Sequence, residues 1–262
     1  MLTIAIAIQK GGSGKTTTAI NLAAALQLRG QRVLLVDIDP QANLTHALGF
    51  EQEPDKHIYH LLKRAADGDE VDINTFILTS ASGLKLIPSA LELAVAEMEL
   101  VSVYGREHLL SGMLSVLRGV YDVVLIDCPP SIGMLTVNAL VASDGILMPL
   151  QAEFLPLKGL HSFMRSFQTI KMRLNKRLEI MGIVLTRYDE RKEMNRRLLQ
   201  DLTNEFGDKV FKTHIRTNIA IAKAQEKGLD IFIFDKKSHG AADYTALAEE
   251  LLLRIKKETP SV

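Results

Sequence analysis

The most constraining feature of the sequence is a short apolar run that leads through a glycine-rich segment into a helical pattern. Residues 2–8 are apolar and rich in β-branched side chains, and residues 16–28 have the spacing of an α-helix. Glycines between them allow the backbone to curl so that successive N–H groups point at phosphate oxygens, and the helix adds the positive end of its dipole. The segment that connects the two patterns is Lys10, Gly11, Gly12, Ser13, Gly14, Lys15, Thr16 and Thr17. This segment predicts a phosphate-binding loop between a buried strand and a helix.

Two residues of this loop match the reactive positions of the pattern G-x-x-x-x-G-K-[ST]. Lys15 would reach the β- and γ-phosphates of a nucleotide, and the Thr16 hydroxyl would bind Mg²⁺. The first position of the pattern is Gln9 instead of glycine, and a second lysine, Lys10, stands at the mouth of the loop. We therefore expect a nucleoside triphosphate site with one unusual cation at its rim.

The rest of the chain alternates short apolar runs with helical patterns. Predicted strands cover residues 3–8, 32–36, 84–87, 122–126, 145–149, 179–185 and 229–234. Predicted helices include residues 19–28, 106–117, 157–171, 194–206 and 242–255. This alternation indicates an α/β fold with a doubly wound, mostly parallel sheet flanked by helices, in which ligands bind beyond the carboxyl ends of the strands. No linker or repeat divides the 262 residues, which favours a single domain over residues 1–262.

Acidic residues stand where two of these strands end. Asp37 and Asp39 follow residues 32–36 and should point the same way, because alternate side chains of a strand share a face. One role open to Asp39 is to orient or deprotonate the water that attacks a γ-phosphate, and the other is simply to start a turn at Pro40. Asp127 follows a second apolar run and is expected to hold Mg²⁺ directly or through water.

Composition excludes several classes of protein. Lys plus Arg equals Asp plus Glu at 31 each, so net charge alone points to no partner. The single cysteine, Cys128, excludes an internal disulfide, and no apolar run approaches the roughly 20 residues of a membrane span. Neither is a signal peptide evident, so we expect a soluble, cytoplasmic protein. His57 and His60 are interpreted as a polar helix face and not as a metal pair.

Six motifs in order resemble those of the ParA/MinD family of ATPases with a deviant Walker A loop, and the match is closest to the short ParA proteins that partition DNA or other cargo. They lie at residues 10–17, 36–41, 86–89, 126–131 with 137–140, 186–191 and 238–244. The resemblance implies a P-loop ATPase fold, ATP and Mg²⁺ as cofactors, and a homodimer that forms with ATP. It also implies a cargo-bound, ParB-like partner that stimulates hydrolysis. An N-terminal extension that binds operators in some relatives is not found here, so autorepression is not expected.

The resemblance also assigns roles to residues. Lys10, Lys15 and Asp39 would be catalytic, with Lys10 reaching the phosphates of the facing subunit. Thr16, Asp39 and Asp127 would hold Mg²⁺. The implied nucleotide-binding residues are Lys10, Gly11, Gly12, Ser13, Gly14, Lys15, Thr16, Thr17 and Asn218. Family members often read I-P-R-N where this chain has residues 215–218, Ile-Arg-Thr-Asn.

Basic residues late in the chain are expected to bind DNA without sequence preference, as they do in the ParA proteins that this chain resembles. They are Arg187, Arg191, Arg196, Arg197, Arg216 and Lys223. The alternative is a solvated helix face, since acidic residues are interleaved with them. DNA binding would place the protein on the nucleoid.

The main alternative function is a MinD-like regulator that associates with membranes. It would need an amphipathic C-terminal helix, and residues 251–257 are only faintly similar to one before Glu258, Thr259 and Pro260 end the pattern. Packing of Leu247, Leu251 and Ile255 onto the sheet is the favoured interpretation, so no membrane insertion is expected.

Overall fold

All strands of the protein belong to one sheet in the part of the chain that the computed structural model describes, residues 1–152 and 156–258. The strands are β1 (Leu2–Ile6), β2 (Val33–Asp37), β3 (Leu78–Thr79), β4 (Lys85–Ile87), β5 (Val123–Asp127), β6 (Gly145–Gln151), β7 (Glu179–Tyr188) and β8 (Ile215–Arg216). Their order in the sheet is β3-β4-β2-β5-β1-β6-β7-β8. Neighbouring strands are parallel except β3 and β4, which are antiparallel. The carboxyl ends of the parallel strands therefore meet at one edge.

Helices connect these strands. They are α1 (Lys15–Leu28), α2 (Asn43–Ala47), α3 (Ile58–Asp67), α4 (Leu93–Glu99), α5 (Leu109–Ser115), α6 (Met134–Ala142), α7 (Pro156–Arg173), α8 (Glu193–Phe206), α9 (Ile219–Glu226), α10 (Ile231–Asp235) and α11 (His239–Glu258). Short 3₁₀ turns lie at Ile73–Phe76, Leu100–Ser102, Arg106–His108 and Gly207–Lys209.

The central strands β2, β5 and β6 are fully buried, which explains their continuous apolar character. In β5, Val124 and Ile126 belong to one hydrophobic cluster, whereas Val123 and Leu125 belong to a second cluster on the opposite face. Apolar residues of α5, α6, α7 and α8 pack into the first cluster. Those of α1 and α11 pack into the second. The predicted doubly wound α/β class is confirmed.

One strand prediction is wrong. Residues 229–234 contain the start of α10, because the Asp230 carboxylate accepts hydrogen bonds from the backbone N–H groups of Phe232 (2.8 Å) and Ile233 (3.1 Å) and so caps a helix. Ile231 is fully buried but Ile233 is exposed, a pattern that a strand buried on both faces does not have. The short strands β3 and β8 are absent from the prediction, and the predicted helix at 106–117 is a 3₁₀ turn followed by α5.

The C-terminal helix packs as expected. Leu247 and Leu251 are fully buried, and Ile255 is partly buried against the same cluster. Thr259 and Pro260, predicted to end the pattern, lie outside the described residues. Among the described residues, no helix is both long enough and apolar enough to cross a bilayer. The assignment of residues 1–262 to a single domain stays a prediction.

Candidate nucleotide site

The glycine-rich loop forms a tight turn between β1 and α1. Gly12 and Gly14 have positive φ angles of 71° and 92°, a conformation that residues with a Cβ adopt at a cost, and α1 begins directly after Gly14. The Gly14 carbonyl accepts the Thr18 N–H at 2.8 Å. At the far side of the loop, the Thr186 hydroxyl of β7 donates to the Ser13 carbonyl at 2.8 Å. The loop is thus held from both sides as a turn between a strand and a helix.

Lys15 lies inside the loop and not in solvent. Its residue is 7% exposed, and its ammonium donates to the Lys10 carbonyl at 3.0 Å. Burial lowers the pKa of Lys15, whereas the nearby charges of Asp127 and Asp39 act in the opposite direction. The Lys15 ammonium therefore lies against the loop whose N–H groups would surround phosphate oxygens.

A pair of oxygen-bearing side chains lies directly beside the loop. The Thr16 hydroxyl donates to Asp127 Oδ2 at 2.6 Å, although the two residues are far apart in sequence. The other oxygen, Asp127 Oδ1, is buried and has no hydrogen-bond partner among the described residues. Burial, and after it the charge of Asp37, raises the pKa of Asp127 well above its ordinary value. Hydroxyl and carboxylate oxygens with an unsatisfied buried atom are a donor set that fits Mg²⁺, whose charge would offset the burial of the acid.

Asp37 and Asp39 have different surroundings. Asp37 is fully buried and accepts hydrogen bonds from the Asp39 N–H (3.2 Å), the Thr45 N–H (2.9 Å) and the Thr45 hydroxyl (2.7 Å). Burial raises its pKa to about 7. The Asp39 carboxylate accepts the Gln41 N–H at 2.9 Å, which is the turn geometry that sequence left as one of its two readings. Asp37 therefore fixes the segment on which Asp39 is carried.

Two residues to which sequence reasoning gave no role hold this segment in place. The Ser89 hydroxyl donates to the Asp39 carbonyl at 2.7 Å, and the Ser89 N–H donates to the Thr45 hydroxyl at 2.9 Å. Ser89 belongs to the motif at 86–89, which was the only signal for it, whereas Thr45 lies in no noted motif.

Lys10 belongs to the phosphate loop, whereas Asn218 is the N-cap residue of α9. The carbonyl of Lys10 accepts the Lys15 ammonium, so its backbone is part of the loop. The Asn218 side chain accepts the Ala220 N–H at 2.8 Å and caps α9, whose Gln225 accepts a hydrogen bond from the Thr17 hydroxyl at 3.3 Å. The roles predicted for Lys10 across a dimer and for Asn218 at the nucleotide stay predictions.

Two of the predicted DNA-binding residues lie near the carboxyl ends of strands, and others are on helices. Arg187 is at the end of β7 with a positive φ of 51°, and Arg216 is on β8, where it is paired with the neighbouring Tyr188. Arg196 and Arg197 are in α8, and Lys223 is exposed in α9.

These basic side chains divide into two groups by their contacts. Arg191 forms two hydrogen bonds of 2.9 Å with the Asp189 carboxylate, and Arg216 pairs with Asp243 at 2.6 Å. Arg196 donates to a backbone carbonyl at 2.6 Å. Within the described part of the chain, the remaining three make no ion pair and are exposed: Arg187, Arg197 and Lys223.

The strand, the glycine loop, the buried lysine and the Thr16–Asp127 pair at the carboxyl edge of a parallel sheet define a P-loop nucleotide-binding protein. A family profile described as "AAA domain" matches residues 1–180. The chain belongs to the ParA/MinD family of P-loop ATPases.

Relatives of known name support this assignment across nearly the whole chain. The sporulation initiation inhibitor protein Soj of Bacillus subtilis is 42% identical over 249 residues, which cover 95% of this chain and 97% of that protein. The chromosome partitioning protein ParA of Caulobacter vibrioides is 41% identical over 254 residues, with 96% and 94% covered.

Solved structures agree in fold. A protein described as cobyrinic acid a,c-diamide synthase from Mycobacterium smegmatis, with ADP and magnesium bound, has a TM-score of 0.84, 35% identity and coverage of 99% of this chain and 97% of that one. An ATP complex of a McdA variant from Cyanothece has a TM-score of 0.82 and 25% identity, with 97% and 96% covered. The prediction of ATP and Mg²⁺ agrees with the groups bound in these structures.

Proposed function

We propose that this protein is an ATPase that dimerises with Mg-ATP, binds DNA without sequence preference as a dimer, and partitions or positions a cargo together with a ParB-like stimulating protein. The observation that carries the nucleotide part is the Thr16–Asp127 pair beside the phosphate loop, in which Asp127 Oδ1 is buried and unsatisfied among the described residues. The name of the relative ParA, a chromosome partitioning protein, supports the partition part.

The chain's own residues divide the work of hydrolysis in this proposal. Backbone N–H groups of residues 11–17 and the Lys15 ammonium bind the phosphates, and Thr16 and Asp127 hold Mg²⁺. When bound, Mg²⁺ neutralises charge on the phosphates. Asp39 orients the attacking water or takes its proton, and it also contributes to holding Mg²⁺. Asn218 contributes to nucleotide binding.

Lys10 is proposed to act across the dimer. Its backbone stands at the mouth of the loop and is fixed there by the Lys15 ammonium, so its side chain starts from the rim and not from the interior. A lysine in that place can offset charge on the phosphates of a facing subunit, as an arginine finger does. ATP would then join two protomers, and its hydrolysis would release them.

Substitution of the two lysines tests the proposal. We expect Lys15→Ala to abolish nucleotide binding, because it removes the contact to the β- and γ-phosphates within a subunit. We expect Lys10→Ala to keep nucleotide binding and to lose ATP-dependent dimerisation. Binding of a fluorescent ATP analogue and light scattering after size exclusion, with and without ATP, separate the two effects. A Lys10→Ala protein that dimerises as the wild type does would show that the trans role is wrong.

Amide synthesis is a second candidate, because one similar structure is described as a diamide synthase. A synthase that takes ammonia from glutamine through a cysteine needs a thiolate that substrate can reach. The only cysteine of the chain, Cys128, is fully buried, and burial raises its pKa well above the ordinary value. The partition function is therefore favoured over glutamine-dependent amide synthesis.

A further inference from the structure

A cluster of two histidines and a glutamate lies outside the nucleotide site. His57 is the N-cap residue of α3, His60 is in the first turn of that helix, and Glu92 directly precedes α4. One metal-binding atom of each residue lies within 4.8 Å of those of the other two. Three residues from two separate elements thus converge, which the spacing of the histidines alone does not predict.

Both histidine–glutamate distances in the cluster are longer than hydrogen bonds, and the shorter one matches the separation of two ligands on a tetrahedral ion. His57 Nε2 lies 3.4 Å and His60 Nε2 lies 3.7 Å from the same oxygen, Glu92 Oε2. Hydrogen bonds of this kind are about 2.7–3.2 Å long. Two ligands on a tetrahedral Zn²⁺, each about 2.0–2.1 Å from the metal, are about 3.3–3.4 Å apart. The exposed pair of His161 and Glu205, by contrast, is separated by 2.8 Å, an ordinary hydrogen bond.

Burial and packing preorganise the cluster. The His57 side chain is only 4% exposed, and its ring centre is 4.1 Å from that of His60. The Nδ1 atoms of both rings are buried and have no hydrogen-bond partner among the described residues, so nothing described commits either ring to another contact through that atom. The side chains of His60 and Glu92 are 37% and 48% exposed, which leaves one side of the cluster open to water.

We propose that His57, His60 and Glu92 form a binding site for a borderline divalent transition metal, with Zn²⁺ as the best fit. Two imidazoles and one carboxylate with an open fourth position are a common zinc ligand set, and Mg²⁺, which prefers oxygen ligands, would not compete for it. This proposal differs from the interpretation of these histidines as a polar helix face, which sequence favours.

The bound metal would join α3 to the segment that leads into α4. That segment already contacts both α3 and the Asp39 region, because the Pro88 carbonyl accepts the Ile58 N–H at 2.9 Å and the adjacent Ser89 hydroxyl donates to the Asp39 carbonyl. The metal would therefore stabilise the contact between α3 and Pro88, and the next residue, Ser89, is the one that contacts Asp39.

Competition for zinc against a chromogenic chelator tests the proposal on the full chain, with excess Mg²⁺ present to occupy oxygen-only sites. The wild type should bind one Zn²⁺ per chain, and Zn²⁺ should raise its melting temperature. His60→Asn and Glu92→Gln, both at partly exposed positions, should keep the fold by circular dichroism but lose at least about tenfold in zinc affinity. His57→Asn should behave in the same way.

The control is His161→Asn, which removes a histidine paired with a glutamate at ordinary hydrogen-bond distance, and it should bind Zn²⁺ as the wild type does. Co²⁺ adds a spectroscopic measure, since its visible absorption in the wild type should report tetrahedral nitrogen and oxygen ligands and should vanish in His60→Asn. Zinc affinity unchanged in both His60→Asn and Glu92→Gln, or no zinc bound by the wild type in competition with the chelator, would overturn the proposal.

Discussion

Neighbouring acids at the nucleotide site do different work because their surroundings differ. All three acids are buried, but Asp37 and Asp127 are in register on β2 and β5, whereas Asp39 lies just past the end of β2. Three hydrogen bonds hold Asp37, which explains a role in positioning. Asp39 is the acid that we propose to act on the water that attacks the γ-phosphate.

Replacement of Asp39 should separate binding from turnover. We expect Asp39→Ala to bind ATP and to dimerise but to hydrolyse ATP at least about tenfold more slowly, because loss of a group that positions water or takes its proton typically costs about 10²-fold or more. The variant should accumulate as a trapped dimer. Phosphate release measured with the partner-stimulated enzyme checks this, and an unchanged rate would move the role to Asp37 or to the backbone.

Asp37 should make stability depend on pH. Its pKa is about 7 when folded, against 3.8 for the free side chain, so between about pH 4 and 7 the folded protein keeps a proton that the unfolded chain has lost. The contribution of Asp37 to the free energy of unfolding therefore falls as pH rises through that window. Asn at this position does not titrate, so the melting temperature of Asp37→Asn minus that of wild type should increase as the pH is raised from about 4 to 7. Calorimetry without nucleotide measures it.

Asp189→Asn is the matched control for that measurement. The Arg191 guanidinium lowers the pKa of Asp189 to about 2, so its proton is released below the window in the folded protein. The difference in melting temperature between Asp189→Asn and wild type should be constant from about pH 5 to 7, where Asp189 is ionised in both the folded and the unfolded chain. A flat difference for Asp37→Asn as well would show that Asp37 is ionised throughout.

At the scale of elements, a single capping residue can turn an apolar run that looks like a strand into a helix. Residues 229–234 read as a buried strand, yet Asp230 turns residues 231–235 into α10. The backbone of this helix is also tied to α1, because the Ile231 N–H donates to the Asn21 side chain at 2.9 Å.

Removal of that cap should be measurable. Asp230→Ala leaves the first N–H groups of α10 without their acceptor and should lower the free energy of unfolding by about 1 kcal/mol, within a range of about 0.5–2 kcal/mol. Asp201→Ala, an exposed aspartate within α8, should change it by less than about 0.5 kcal/mol. Urea unfolding followed by circular dichroism compares the two, and equal effects would argue against capping as the cause.

Sequence predicts a structural feature when the residues that cause it are close together in the chain. The loop at 10–17 and the buried strands are visible because glycines and continuous apolar runs act locally. The contacts of Thr45 and Ser89 join distant segments and leave no local signal. Strands as short as β8 have too few residues to show a repeating apolar pattern. His57 and Glu92 come together because the starts of two separate helices lie side by side, which no local pattern reveals.

At the scale of the whole molecule, one edge of the sheet carries the phosphate loop and the acidic residues assigned to the nucleotide site. The phosphate loop follows β1, Asp39 follows β2 and Asp127 ends β5. Arg187 is the penultimate residue of β7, and Arg216 on β8 pairs with Tyr188, the last residue of β7. A dimer built across this edge would place the basic residues of both chains near a common surface.

DNA binding should therefore appear with ATP, show little sequence preference and fall steeply with salt as counterions are released. The combined change of Arg191, Arg196 and Arg197 to Glu should weaken binding to random duplex DNA and leave ATP-driven dimerisation intact. Because Arg191 is already paired, Arg197→Glu with Lys223→Glu should produce much of the loss. Gel shifts over a salt series measure this.

The membrane alternative makes the opposite forecast for the same sample. Asp39→Ala with ATP would then sediment with liposomes, and truncation after Leu253 would abolish that binding. We expect a gel shift on random DNA without liposome binding. Liposome binding without a gel shift would contradict the DNA-cargo function.

The hydrogen bond from Thr186 to Ser13 places the phosphate loop one residue away from Arg187. The Thr186 side chain also touches the position that a Cβ on Gly14 would take, at 3.5 Å, so the two segments are in contact with no gap between them. Any movement of the loop as a phosphate leaves would tilt the end of β7 and, with it, the direction of the arginine that follows. Through β7, a change at the nucleotide would therefore change how Arg187 contacts DNA before the dimer dissociates.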